Sequence, residues 1–143
     1  MGERTRRSYS NRIKTIENLG HLTELHTLWL MDNEIEVVQH MEGLQALQCL
    51  NMARNRIREI SNSLDANTAL IELNLAGNEL WSFKDLLNLT RSANLRKLSF
   101  ADPDYGDNPV CELCNYQVRT AQADGVRCQR MHACSRGVGG EGG

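Results

Sequence analysis

Leucines at fixed intervals constrain this chain more than any other feature. Leu25-His-Thr-Leu28-Trp-Leu30-Met-Asp-Asn33-Glu-Ile35 recurs as Leu47-Gln-Cys-Leu50-Asn-Met52-Ala-Arg-Asn55-Arg-Ile57 and again as Leu70-Ile-Glu-Leu73-Asn-Leu75-Ala-Gly-Asn78-Glu-Leu80. A fourth unit opens at Leu95-Arg-Lys-Leu98-Ser-Phe100-Ala-Asp-Pro103 and lacks the Asn, and Asn11-Arg-Ile13-Lys-Thr-Ile16 is the back half of an earlier one. The leading Leu advances by 22, 23 and 25 residues. Each apolar-x-apolar core reads as a short strand, because period-two alternation sends both apolar side chains to one side. The half that follows returns Ile35, Val38, Leu44 and Leu47 to the same core. No unit can close a core by itself, so the units must stack.

Composition agrees with that division. Eighteen of the 19 Leu lie between Leu19 and Leu98. Residues 1–10 carry a net charge of +2, residues 11–115 carry nine basic against fifteen acidic groups, and residues 116–143 return to +2 with six of the eleven Gly. The expectation is a flexible basic leader over 1–10, an ordered repeat region with a partial C-terminal cap over 11–116, and a disordered Gly/Arg-rich tail over 117–143. The apolar runs are too short to span a bilayer and no secretory signal opens the chain, so no membrane is expected and the compartment reads as intracellular and cytoplasmic.

The pattern is identified as that of the leucine-rich repeats, an α/β solenoid with a curved parallel sheet on its concave face and short helical or 3₁₀ returns on its convex face. The repeat length and the returns resemble the roughly 22-residue class that includes the phosphatase-1 regulatory subunit, the spliceosomal A′ protein and the axonemal dynein light chain. Asp107-Asn108-Pro109-Val110 followed by Cys111-Glu-Leu113-Cys114-Asn-Tyr116 looks like the opening of that class's cap, whose second half is missing here. The stack also starts in mid-repeat, so the chain reads as a piece or splice variant of a longer repeat protein, with self-association through uncapped ends. The resemblance implies assembly roles, in cilia or in phosphatase regulation.

Asn33, Asn55 and Asn78 sit where each strand turns, and their amides are expected to form a structural ladder. Alternation also names the outward columns: Thr27, Cys49, Glu72, Lys97; then Trp29, Asn51, Asn74, Ser99; then Met31, Ala53, Ala76, Ala101; then Asp32, Arg54, Gly77, Asp102. Trp29 is the expected anchor for a protein partner, since Trp is enriched in binding hot spots. Its bland alternative is packing on Thr27 and Met31. The alanine column is expected to leave a shallow trough beside it, and Glu72 with Lys97, and Arg54 near Asp32 and Asp102, read as solvated pairs. The expected contact set is Thr27, Trp29, Met31, Asn51, Arg54, Glu72, Asn74 and Lys97. Trp81 reads as structural or on the convex rim. The 25-residue unit is expected to return through a helix, with Ser82 and Asp85 as a capping box and Phe83, Leu86 and Leu87 on one apolar face.

Cys111, Cys114, Cys128 and His132, with Cys134, have a spacing that resembles a zinc finger. Packing in the cap explains the first two at least as well, and the segment between the pairs lacks the residues for a finger's own core. No cofactor and no catalytic set emerge, and an acidic middle argues against nucleic acid.

Overall fold

The computed structural model describes residues 4–8, 10–89 and 91–112. Five three-residue strands, β1 (Thr5–Arg7), β2 (Thr27–Trp29), β3 (Cys49–Asn51), β4 (Glu72–Asn74) and β5 (Lys97–Ser99), form one parallel sheet in sequential order. The register aligns Thr27, Cys49, Glu72 and Lys97 in one column and Trp29, Asn51, Asn74 and Ser99 in the next. The repeat phase therefore sets the sheet register. Between those columns Leu28, Leu50, Leu73 and Leu98 point inward and are buried, followed by Leu30, Met52, Leu75 and Phe100. The returns bring Ile35, Val38, Met41 and Leu44, and their counterparts Ile57, Ile60 and Leu64, onto the same core.

The sheet begins earlier than expected. Part of the leader is a strand, with Thr5, Arg6 and Arg7 in register with Thr27, Leu28 and Trp29. All three residues are exposed, so apolar patterning could not reveal them. Backbone groups hold them: the His26 and Thr27 N–H both donate to the Arg4 carbonyl at 3.0 Å, and the Ser8 N–H donates to the Trp29 carbonyl at 2.7 Å.

The amide ladder is present. Asn55 Oδ1 accepts the Ile35 N–H at 3.1 Å, while its Nδ2 donates to the carbonyls of Leu30 at 2.9 Å and Met52 at 3.0 Å. Asn78 repeats this one unit on, with the Ile57 N–H and the carbonyls of Met52 and Leu75. Asn33 does so one unit earlier, with the Ile13 N–H and the carbonyls of Ser8 and Leu30. The fourth unit does not lose its rung. Asn108 accepts the Leu80 N–H at 3.0 Å and donates to the carbonyls of Leu75 and Phe100, and Val110 fills the place of Ile35 and Ile57. Three positions separate Leu75 from Asn78 but eight separate Phe100 from Asn108. The extra residues loop out as an antiparallel hairpin, β6 (Ala101–Asp102) with β7 (Gly106–Asp107).

The returns differ from expectation in the early units. The run Ile35-Glu-Val37-Val38 stays extended and makes an isolated parallel bridge between Val37 and Glu59, in keeping with the poor helix propensity of β-branched residues. Only the longest return carries an α-helix among the described residues, α1 (Phe83–Leu89); a 3₁₀ turn spans Pro109–Glu112. Ser82 caps α1 by accepting the Lys84 N–H at 3.2 Å. Asp85 does not complete a capping box. It is buried, and its Oδ1 accepts the Ile60 N–H of the preceding unit at 3.1 Å. Leu87 is exposed, so it does not belong to the buried side of α1 as expected, and Leu89 is buried with Asp85.

Asn55→Ala strips the Ile35 N–H of its acceptor and leaves buried carbonyls without a donor, so it should cost about 3 kcal/mol in urea unfolding. Asn11, exposed and bonded only to the Ser8 hydroxyl, should cost within about 0.5 kcal/mol on the same substitution. Equal losses would contradict the ladder's role.

Candidate functional site: the concave sheet face

The face opposite the leucines presents two open columns and one closed one. At one end Trp29, half-buried, lies under the Arg7 guanidinium, 4.3 Å from the ring centroid, a cation–π contact that uses the unforeseen strand β1. At the other end Lys97 Nζ meets Glu72 Oε1 at 2.6 Å. Hydrogen bonding to Glu72 raises the Lys97 pKa, so the ammonium is fixed. Between them, Asn51 and Asn74 each turn the side-chain oxygen back to accept a backbone N–H two residues on, from Ala53 and Ala76 at 3.0 Å. Thr27 and Ser99 complete the columns as small hydroxyls.

Cys49 stands between Thr27 and Glu72, its thiol 3.9 Å from Glu72 Oε2. Burial pushes its pKa up, and the Glu72 carboxylate adds to the shift. The group is a neutral thiol at physiological pH and a poor nucleophile. Beyond the strands, Arg54 Nε pairs with Asp32 Oδ1 at 3.1 Å, with both side chains partly in water. Asp32, Arg54 and Gly77 share a left-handed backbone at the turn into the rungs Asn33, Asn55 and Asn78, and Ser10 holds the same conformation one unit earlier.

The expected alanine trough is filled. Ala53 and Ala76 have no exposed surface and Ala101 very little. The occupant comes from the hairpin: the Tyr105 backbone lies against Gly77, and the Tyr105 hydroxyl reaches Met31 Sδ at 3.7 Å. Since Met31, Ala53 and Ala76 are level in the sheet register, the tyrosine lies along the alanine column. A Cβ at Gly77 would collide with the Tyr105 carbonyl oxygen, and Gly77 has φ +64°. Sequence reasoning named the column but not Tyr105, which is 74 positions from Met31; the Gly at 77 in a place otherwise held by Asp and Arg was the available signal.

The expected site residues thus fall on one face: Thr27, Trp29, Asn51, Glu72, Asn74 and Lys97 in the open columns, with Met31 and Arg54 on the border beside Tyr105. Trp81 is 64% exposed and lies away from this face, lining a groove of about 480 Å³ with Val37, Arg58 and Lys84. Of the zinc-like set, Cys111 packs against the core, its thiol directed to the Phe100 carbonyl at 3.7 Å. Cys114, Cys128 and His132 lie outside the described residues.

A family model described as leucine-rich repeat matches residues 2–128. The U2 small nuclear ribonucleoprotein A′ of Neurospora crassa is 34% identical over 108 residues, covering 75% of this chain and 41% of the relative. The probable U2 small nuclear ribonucleoprotein A′ of Drosophila melanogaster is 33% identical over 108 residues, covering 74% and 39%. The chain therefore spans about two-fifths of the length of these curated relatives. Among solved structures, the Drosophila melanogaster SNF/U2A′ complex gives a TM-score of 0.66 at 33% identity, covering 78% of this chain and 62% of that one. An internalin of Listeria monocytogenes gives 0.62 at 25% identity, covering 77% and 29%.

Two measurements check the geometry. Gly77→Ala adds a backbone clash and a left-handed penalty of about 1–2 kcal/mol, so it should lower the urea midpoint and, by displacing Tyr105, speed oxidation of Met31 by peroxide. Unchanged oxidation would place Tyr105 elsewhere. Alkylation of Cys49 at pH 8 should run slower than that of an unhindered thiol; Glu72→Gln should accelerate it and Lys97→Gln should slow it further.

Proposed function

The chain belongs to the leucine-rich-repeat family, and from that premise we propose that it is a protein-binding scaffold whose concave face seats a protein partner, with Trp29 as the anchor. The observation that carries this reading is the placement of Trp29: half-buried, under an exposed Arg7, at the end of two open columns whose other charges, Glu72 and Lys97, are paired with each other. Thr27, Met31, Asn51 and Asn74 supply the adjoining contacts, and Arg54, Glu72 and Lys97 form its border. Trp, Tyr and Arg dominate hot spots because they bury large area at small entropic cost. The work is binding.

The relatives sharpen the proposal. One solved relative is a complex of U2A′ with SNF, and both curated relatives are named small nuclear ribonucleoproteins. We read the partner as a protein of such an assembly, contacted through protein and not through RNA, and the compartment as intracellular, with the nucleus favoured over the cytoplasm. A binder of nucleic acid needs a positive surface. Here the repeat region is net acidic. The string from Phe100 to Tyr116 also resembles leucine-rich repeat-containing protein 9.

Calorimetric titration with Drosophila SNF tests this. Measurable binding that weakens tenfold or more in Trp29→Ala, about 1.4 kcal/mol, with an unchanged urea midpoint, is the expected result. Binding indifferent to Trp29 would overturn the concave-face assignment, and no binding to SNF would remove the ribonucleoprotein partner.

A further inference from the structure

The concave face is electrically lopsided. Among the described residues of the two open columns, the charged groups are Arg7, Glu72 and Lys97, and the last two neutralise each other at 2.6 Å. Arg54 is likewise held by Asp32. Arg7 makes its contact with the Trp29 ring and has no ion pair among the described residues. Beyond β5 the hairpin carries Asp102 and Asp104, with no cation paired to either among the described residues. The Asp104 N–H donates to Asp102 Oδ1 at 2.8 Å, which fixes the position of that carboxylate. Four strand spacings separate β1, which carries Arg7, from β5, which leads into the hairpin, about 19 Å.

The hairpin also supplies an aromatic ring. Tyr105 reaches Met31, which stands two residues beyond Trp29 and on the same side of the sheet. Trp29, Met31 and Tyr105 therefore make one continuous apolar ridge, with Arg7 at its positive end and Asp102 and Asp104 toward its negative end. Tyr105 occupies the alanine column, so an apolar partner group must sit on the ridge and not in a trough.

We propose that the hairpin Ala101–Asp107 is a specificity element of this face, and that the partner presents a charge-asymmetric segment: a carboxylate over Arg7, an apolar side chain on the Trp29–Tyr105 ridge, and a cation toward Asp102 and Asp104. This rests on the concave-face reading above and adds to it the chemistry of what the face selects. Complementary charge at the two ends fixes the polarity of the segment, since the reversed orientation sets like charges against each other. The ridge supplies the contact area, and the ends supply register.

The test is selection of random twelve-residue peptides displayed on phage against the full chain, followed by fluorescence titration of the selected peptides with variants. Selected peptides should carry Asp or Glu at one end, Lys or Arg at the other and an apolar residue between. Arg7→Glu should weaken them at least tenfold, and a repeated selection on it should lose the acidic preference. Tyr105→Ala should weaken them and relax the choice of apolar residue, while Tyr105→Phe, which keeps the ring and the covered alanines, should retain most of the affinity. Far-UV circular dichroism on each variant checks that the sheet persists. Peptides lost on Trp29→Ala but indifferent to Arg7→Glu and Tyr105→Ala would overturn this inference and leave the concave site standing. Peptides indifferent to all three, or a selection without charge pattern, would overturn it, and the first of these would overturn the concave site as well.

Discussion

One buried amide per repeat holds this structure together in a way the leucines cannot. Leucine burial is non-directional and would tolerate a slipped stack. Each Asn rung binds backbone groups of its own turn and of the neighbouring coil at once, so a slip of one residue would leave several buried polar groups unpaired. In the three regularly spaced units a left-handed residue stands just before the rung. Asp32 and Arg54 accept φ of 56° and 53° there, a conformation that costs an L-residue roughly 1–2 kcal/mol. That two non-glycine residues persist in it shows how strongly the amide bonds over-determine the turn.

The fourth repeat demonstrates the priority of the rung over the spacing. Extra residues separate Phe100 from its Asn, yet Asn108 still reaches the Leu75 and Phe100 carbonyls, and Val110 still fills the core. The surplus chain has to go outward, and it folds over the concave border as β6 and β7. Isolated two-stranded hairpins are marginal in water. This one is stabilised by what it covers: Ala53 and Ala76 lose their exposure to it, and Gly77 removes the side chain that would hold it off. A local insertion thereby reshapes a surface that spans four strands.

These features explain what could be read from the amino-acid order and what could not. The outward columns followed from period two within strands and 22 to 25 residues between them, so Thr27, Trp29, Glu72 and Lys97 fell into place. Strand β1 was hidden because Thr5, Arg6 and Arg7 carry no apolar alternation; its only trace is phase, since Thr5 stands 22 positions before Thr27 as Asn11 does before Asn33. Asn108 was visible as an Asn-Pro but out of phase, and so read as a cap and not as a rung. The filling of the trough is not legible within a repeat, because its occupant lies in a distant stretch and pattern within a repeat says nothing about a loop returning from another one. The role of Asp85 is hidden for a similar reason: it accepts the previous unit's Ile60 N–H, a contact of tertiary packing.

The electrostatics of the face follow from the same stacking. Parallel in-register strands place equivalent positions side by side, so a charge in one unit meets whatever the next unit carries there. Glu72 meets Lys97, Asp32 meets Arg54 and Glu34 meets Arg56, and each becomes part of a pair. Arg7 meets Trp29 instead, and the aromatic ring stabilises the cation without neutralising it. Paired charges make a face costly to cover with apolar groups, because both ions must lose water. A cation resting on a ring keeps its hydrogen-bond donors available, and its hydrophobic support is already assembled. The one cation of the open columns that is not ion-paired among the described residues thus stands at the β1–β2 end of the sheet, the end at which we propose that a partner binds.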